Sequence, residues 1–266
     1  MEKSYTIRGG RLGRERLRVL SNVLQTGTNA FLDRIRIRPG MTCLDVGCGG
    51  GDVSRELARR VGSAGRVVGI DMDADQLDIV RAEAAAHNIG NLNLMVADAT
   101  KPPSDLGQFD IVYSRFLLCH LPARLQVFEW MKSCLVDGGI LALEDCDFTG
   151  HFCYPPSAAF DRYVELAGNV MRRRGGDPHF GLKLPEQFRE GRLAIGGIEI
   201  AHPADIEGDP KLLNALSMES FADAIVSEGL APQAEVNELI ETLRAVVGDK
   251  RVYASVTRRI QVWGQR

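Results

Sequence analysis

Three carboxylates and one run of glycines have the types and spacing to hold a nucleoside. The run is Asp45-Val46-Gly47-Cys48-Gly49-Gly50-Gly51, entered from an apolar stretch and followed by a helical pattern from about Val53. Glycines at such a turn bring backbone N–H groups close to a ligand because no Cβ intervenes. Twenty residues on, 67–70 is a short apolar run that ends in Asp71. A carboxylate placed there can accept both vicinal hydroxyls of a ribose. A third run, 92–96, ends in Ala97-Asp98-Ala99. Asp98 suits an adenine amino group, and the Ala99 backbone N–H suits a ring nitrogen.

Other glycine motifs do not fit. A P-loop requires Gly-Lys-Ser/Thr, and no lysine is present in the run. A dinucleotide G-x-G-x-x-G beginning at Gly47 needs glycine where Asp52 stands; beginning at Gly49 it needs glycine where Ser54 stands. A purely structural tight turn is the bland alternative, and Asp71 or Asp98 alone could be a helix N-cap. Three such features on three successive strand ends are harder to explain as caps.

These residues carry a resemblance. Residues 40–147 resemble the class I S-adenosylmethionine-dependent methyltransferases. The motifs are Leu44-Asp45-Val46-Gly47-Cys48-Gly49-Gly50-Gly51, Val68-Gly69-Ile70-Asp71-Met72-Asp73, Val96-Ala97-Asp98-Ala99, Phe109-Asp110-Ile111-Val112-Tyr113-Ser114-Arg115 and Leu135-Val136-Asp137-Gly138-Gly139. In the last, Asp137 replaces the usual proline, which a turn tolerates. Within the class the chain is most similar to the ubiquinone/menaquinone-biosynthesis-like small-molecule methyltransferases. The resemblance implies S-adenosyl-L-methionine as cofactor, with S-adenosyl-L-homocysteine as product. It implies cofactor contacts from Asp45, Gly47, Cys48, Gly49, Gly51, Asp71, Met72, Asp98, Ala99, Ser114 and Arg115, with Met72 packing on adenine. Tyr5, in a lead-in that can fold over the cofactor, is a further contact. No metal is implied.

Methyl transfer from a sulfonium is an in-line displacement, so a protein supplies mainly positioning and dryness, with a base where the acceptor keeps its proton. His120, in Cys119-His120-Leu121-Pro122, is the catalytic candidate, although a histidine there can simply hold its loop. Arg115 is expected either to meet a carboxylate of cofactor or substrate or to pair with a nearby aspartate as framework. Asp145 and Asp147 are expected either to contact an acceptor amine or hydroxyl or, the favoured reading, to be solvated loop acids, and His151, His179 and His202 read as surface or structural residues. His87 reads as a helix C-terminal residue, and Arg172-Arg173-Arg174 as a solvated helix end.

The elements that position these groups follow from periodicity. Apolar runs at 42–46, 67–70, 92–96, 111–114 and 140–143 alternate with helical patterns at 53–61, 75–87 and 122–135. That alternation predicts a parallel sheet with helices on both faces. The resemblance sharpens it to an α/β Rossmann-like, seven-stranded, mostly parallel sheet with an antiparallel last strand. A single methyltransferase domain over 1–266 is expected. It comprises a helical N-terminal cap (1–38, two short helices interrupted near Gly27) and a cofactor-binding core (39–147). Helical lid insertions follow at 148–190 and 205–248, with the last two strands at 195–200 and 252–263. Lid aromatics Phe148, Phe152, Tyr154, Phe160, Tyr163, Phe180 and Phe188 are expected either to wall an apolar acceptor pocket or to pack ordinarily on the sheet.

Composition sets the outer limits. The 266 residues carry a net charge of −3, which argues against a nucleic-acid partner and leaves a small-molecule substrate. No apolar run reaches the roughly 18 residues of a membrane span, and the first residues lack a secretory signal's apolar stretch. Six cysteines without C-x-x-C or zinc spacing read as buried reduced thiols in a cytoplasmic protein. The exposed lid helices are natural contacts for a homodimer. The expected function is methylation of a small, partly apolar metabolite in biosynthesis, with oxygen the favoured acceptor and nitrogen or carbon open. The alternative is a cofactor-binding protein of the same fold that senses the cofactor or catalyses a non-methylating step.

Overall fold

A computed structural model of the chain describes residues 10–266, with side chains from residue 13 onward. Helix α1 (Gly10–Arg34) leads into β1 (Thr42–Val46), α2 (Asp52–Val61), β2 (Arg66–Asp71), α3 (Ala74–Ala86) and β3 (Leu92–Val96). Then come β4 (Phe109–Arg115), α4 (Arg124–Ser133), β5 (Leu135–Asp147), the short β6 (Cys153–Tyr154), α5 (Ala158–Arg173) and α6 (Leu184–Glu190). The chain closes with β7 (Ala194–Ala201), β8 (Ala204–Asp205), α7 (Asp209–Ser227), α8 (Gln233–Ala245), β9 (Tyr253–Ser255) and β10 (Arg258–Gln265). None of the described helices is long and apolar enough to cross a membrane.

The main sheet has seven strands in the order β3-β2-β1-β4-β5-β10-β7. Strands β1 to β5 are parallel, and β10 is antiparallel to both β5 and β7. The strand order reverses between β1 and β4, which opens a crevice at their carboxyl ends. The central strands are apolar on both faces because both are covered. Cys43, Val67, Ile111 and Tyr113 face α1 and α2 through Phe31, Ile35, Val53, Leu57 and Val61. Leu44, Val68, Val112 and Leu143 belong to the core on the opposite face, which includes residues of α4, α5, α7 and α8.

Two elements differ from the sequence reading. The N-terminal cap is one 25-residue helix rather than two. Gly27 does not break it; a Cβ there would lie 2.6 Å from Arg259 Nη2 and 3.1 Å from Ala201 Cβ, so the glycine lets α1 seat closely on the sheet. The final strand is also divided. β9 pairs with β6 and β8 in a separate three-stranded sheet, and only β10 joins the main one.

A buried polar knot fixes α1. Glu144 of β5 accepts hydrogen bonds from Arg259 Nη1 (2.6 Å), Gln261 Nε2 (2.7 Å), Thr28 Oγ1 (3.3 Å) and the Tyr113 hydroxyl. Arg259 is fully buried and also donates to the Leu24 carbonyl. Burial is tolerated because these charges are paired and bonded.

Candidate active site

The glycine turn is built on the end of β1. Backbone N–H groups of Gly47 and Cys48 donate to the Ile70 carbonyl at 2.8 and 3.0 Å, folding the turn against β2. Gly49 has φ +49, a region open to glycine, and its N–H donates to Asp71 Oδ2 at 2.9 Å. The other oxygen, Oδ1, accepts the Asp73 N–H at 2.9 Å. The carboxylate, with about four lone-pair sites, therefore keeps acceptor capacity for a ligand hydroxyl. Burial raises the Asp71 pKa above its ordinary value, against these N–H donors. Asp45 is buried beneath the turn and accepts the Ser54 hydroxyl at 2.6 Å. Burial pushes its carboxyl up to about 7 despite that bond.

At the end of β3, Asp98 Oδ1 accepts both the backbone N–H (2.8 Å) and the hydroxyl (2.7 Å) of Thr100. This local turn fixes the side chain and leaves Oδ2 available. Ala99 and Met72 line the same cleft, and Met72 is half exposed at its rim.

Arg115 resolves toward framework. Its Nη2 lies 3.0 and 2.9 Å from the two oxygens of Asp52, in the first turn of α2, and Nη1 lies 3.3 Å from Thr28 Oγ1. Both ion-pair partners still line the cleft. Burial opposes the guanidinium charge, but Asp52 holds its pKa above the ordinary value.

The cleft continues from the turn into an apolar lobe. Arg16, Leu17 and Leu20 of α1 line it on one side, and Tyr163 and Met171 of α5 and Leu213 and Phe221 of α7 line the lobe. His120 lies in a single helical turn, Leu118–His120, anchored by Asp145, whose oxygens accept the N–H groups of Cys119 (3.0 Å) and Cys146 (2.8 Å). Burial, then the nearby Arg16 charge, lowers the His120 pKa to about 4, so the ring is neutral at physiological pH.

The structure gathers most of the sequence-predicted residues around one cleft. Asp45, Gly47, Cys48, Gly49, Asp71, Met72, Asp98, Ala99, Arg115 and His120 all line it. Gly51 is turned away behind the loop, against Val80; Ser114, expected to meet the cofactor through its backbone, has its hydroxyl donating to the Val46 carbonyl at 2.7 Å. Tyr5 lies outside the described residues. Of the lid aromatics, Phe148 and Tyr163 reach the cleft. Phe180 and Phe188 are in the core, Phe160 packs behind against Tyr163, and Phe152 and Tyr154 are exposed.

Other expectations are corrected. Asp145 and Asp147 are buried, not solvated, and Asp147 pairs with Arg258. His151, expected to be a surface or structural residue, lines the cleft. The sequence reading missed Arg16, Asp52, His151, Asn214 and Ser217, all cleft residues. Arg16 Nε donates to Ser217 Oγ at 3.2 Å, a contact joining α1 to α7 that no local spacing reveals. Five of the six cysteines are buried free thiols, and Cys153 is partly exposed. Among the described residues, Cys119, Asp145 and Cys146 form the one group whose ligand atoms lie close enough to share a metal. Burial holds both thiols above their ordinary range.

Comparison with known proteins agrees with this geometry. A family model described as a methyltransferase domain matches residues 37–170, half of the chain. The chain belongs to this family, the class I S-adenosylmethionine-dependent methyltransferases. It is 41% identical over 96 residues to nocamycin O-methyltransferase of Saccharothrix syringae, covering 35% of this chain and 34% of the relative. It is 31% identical over 150 residues to demethylmenaquinone methyltransferase of Shouchella clausii, covering 54% and 62%. The matches thus span about one third and three fifths of these relatives' lengths. A cyclopropane-fatty-acyl-phospholipid synthase-like protein from Lactobacillus casei shares the fold, with a TM-score of 0.61, 19% identity, and coverage of 97% of this chain and 95% of that one.

Proposed function

We propose that the protein transfers a methyl group from S-adenosylmethionine to an oxygen of a small, partly apolar metabolite. One observation carries this reading: the glycine turn, Asp71 and Asp98 share a continuous cleft with an apolar lobe built from α5 and α7.

The residues present fit the cofactor. A Cβ on Gly49 would meet only Leu17 Cδ2, at 3.9 Å, so the turn has open space before it. Asp71 offers its carboxylate for the ribose, Asp98 and Ala99 line the cleft at the end of β3 where the adenine would lie, and Met72 would supply an apolar cover. When bound, the cofactor supplies a methyl group on a sulfonium and takes back the C–S electron pair. The chain's own part is to align the acceptor, exclude water through α1 and α7, and receive a proton where the acceptor carries one.

Calorimetry with S-adenosylmethionine and S-adenosylhomocysteine tests the first half. At 100 times its Kd, either should stabilise the fold by about 2.7 kcal/mol, seen as a raised Tm. Transfer of a labelled methyl group into a metabolite extract tests the second. Binding without transfer would favour a non-methylating role; binding of neither would overturn the proposal. The homodimer through the lid helices belongs to the same proposal and is checked by light scattering.

A further inference from the structure

His151 Nδ1 lies 3.1 Å from the Phe148 carbonyl oxygen. A carbonyl oxygen only accepts, so Nδ1 carries the hydrogen and the neutral ring keeps its lone pair on Nε2. No described residue bonds Nε2, and it is not among the enclosed unbonded atoms. His151 is a lining residue of the cleft, and its Nε2 is not enclosed by protein.

The surroundings hold the ring in place. Phe148, Phe160 and Tyr163 stand around it with centroids at 4.9, 6.2 and 6.5 Å. Burial in this collar lowers the imidazole pKa to about 4; His202 acts in the same direction, while the Phe148 carbonyl and Asp147 oppose it. His120 differs in one respect. A proton arriving there meets the charge of Arg16, which already depresses that ring. No arginine or lysine enters the balance at His151.

We propose that His151 Nε2 accepts the hydroxyl proton of the methyl acceptor, and that the lobe takes an apolar molecule through a phenol- or enol-type hydroxyl. This rests on the methyl-transfer reading above. The O–H proton passes to Nε2, the oxygen lone pair forms the new O–CH3 bond, and the broken C–S bond leaves its electron pair on sulfur. The imidazolium then returns its proton to water. The walls of the lobe beside the ring, Tyr163, Met171, Leu213 and Phe221, suit a planar apolar group that carries such a hydroxyl.

The test is 15N NMR of the imidazoles in the full chain with S-adenosylhomocysteine bound, with His151→Gln assigning the signal. The expected result is a His151 Nδ1–H tautomer whose Nε2 signal moves toward the protonated position when 4-nitrophenol or 4-methylphenol is added. An Nε2–H tautomer, or an Nε2 signal unmoved by either phenol, would overturn the proposal. In turnover with these two phenols, His151→Phe should lose about 100-fold for 4-methylphenol and much less for the largely ionised 4-nitrophenol. Equal losses for both phenols would also count against it. Failure of S-adenosylhomocysteine to bind wild-type protein would instead sink the methyl-transfer reading itself, which keeps the two failures apart.

Discussion

Arg115 at the end of β4 and Asp52 in the first turn of α2 form a two-point ion pair between the central sheet and the helix that follows the glycine turn. The pair is largely buried, with 10% and 22% of the two side chains exposed. Burial opposes the charge on Asp52, but Arg115, Ser21 and Arg55 hold its pKa below the ordinary value. Asp52→Ala leaves the guanidinium buried without its partner. The expected cost is about 3 kcal/mol, read as a lower urea midpoint. An unchanged midpoint would mean that the pair does not hold α2.

Asp71 has two duties, and two substitutions separate them. Asp71→Ala removes the acceptor of the Gly49 and Asp73 N–H groups together with the ribose contacts. Its affinity for S-adenosylhomocysteine should fall by about 1.5–3 kcal/mol, roughly 10- to 150-fold. Asp71→Asn keeps one carbonyl acceptor and should fall less. Calorimetric titration checks both, and equal affinities in all three proteins would remove Asp71 from the site.

Among the groups that shape the pH dependence, Asp45 and His120 make opposing contributions over the same window. Asp45 is raised to about 7 by burial, so its stabilising contribution is complete below pH 3.8 and is lost as pH rises through 7. His120 is lowered to about 4, so its contribution is complete above pH 6.5 and is lost as pH falls through 4. Between pH 4 and 7 the two slopes run against each other. Asp45→Asn should make stability climb more steeply with pH, and His120→Gln should make it climb less. Denaturation midpoints at pH 4.5, 5.5 and 7 test this; parallel curves for both variants and wild type would refute it.

Gly51 is a packing position as well as a turn. Its φ is +67, and a Cβ there would lie 2.3 Å from Val80 Cγ1. Gly51→Ala should therefore cost about 1–3 kcal/mol in overpacking, beyond the backbone strain. Val80→Ala in that background should recover part of it, giving a favourable coupling of about 1 kcal/mol in a double-mutant cycle. Zero coupling would show that α3 moves aside freely.

The parts of the molecule legible in the sequence are those where neighbours in the chain are neighbours in space. Asp45, Asp71 and Asp98 each lie at or within two residues of the carboxyl end of a strand, so strand alternation alone places them at one edge. Arg16 could not be found this way. It is one of several arginines before residue 40, and it becomes a cleft residue only once α1 lies across the glycine turn against α7. His151 depends similarly on the ring of Tyr163 from α5, and Asp147 on Arg258, 111 residues away. Gly27 misled for the same reason. Its close neighbour, Arg259, lies at the other end of the chain, so only a helix-breaking meaning was visible locally.

The Glu144 knot has a consequence for how the molecule is made. Thr28 and Arg259, joined at 2.8 Å, are 231 residues apart. Contacts of such separation form late, because the closing loop spans nearly the whole chain. On the ribosome, α1 can meet β1, β2 and β4 through Phe31 and Ile35 early, but Glu144 waits for Arg259 and Gln261 of β10. A chain stalled before β10 emerges holds the motifs and the helix without the cation that lets Glu144 stay buried.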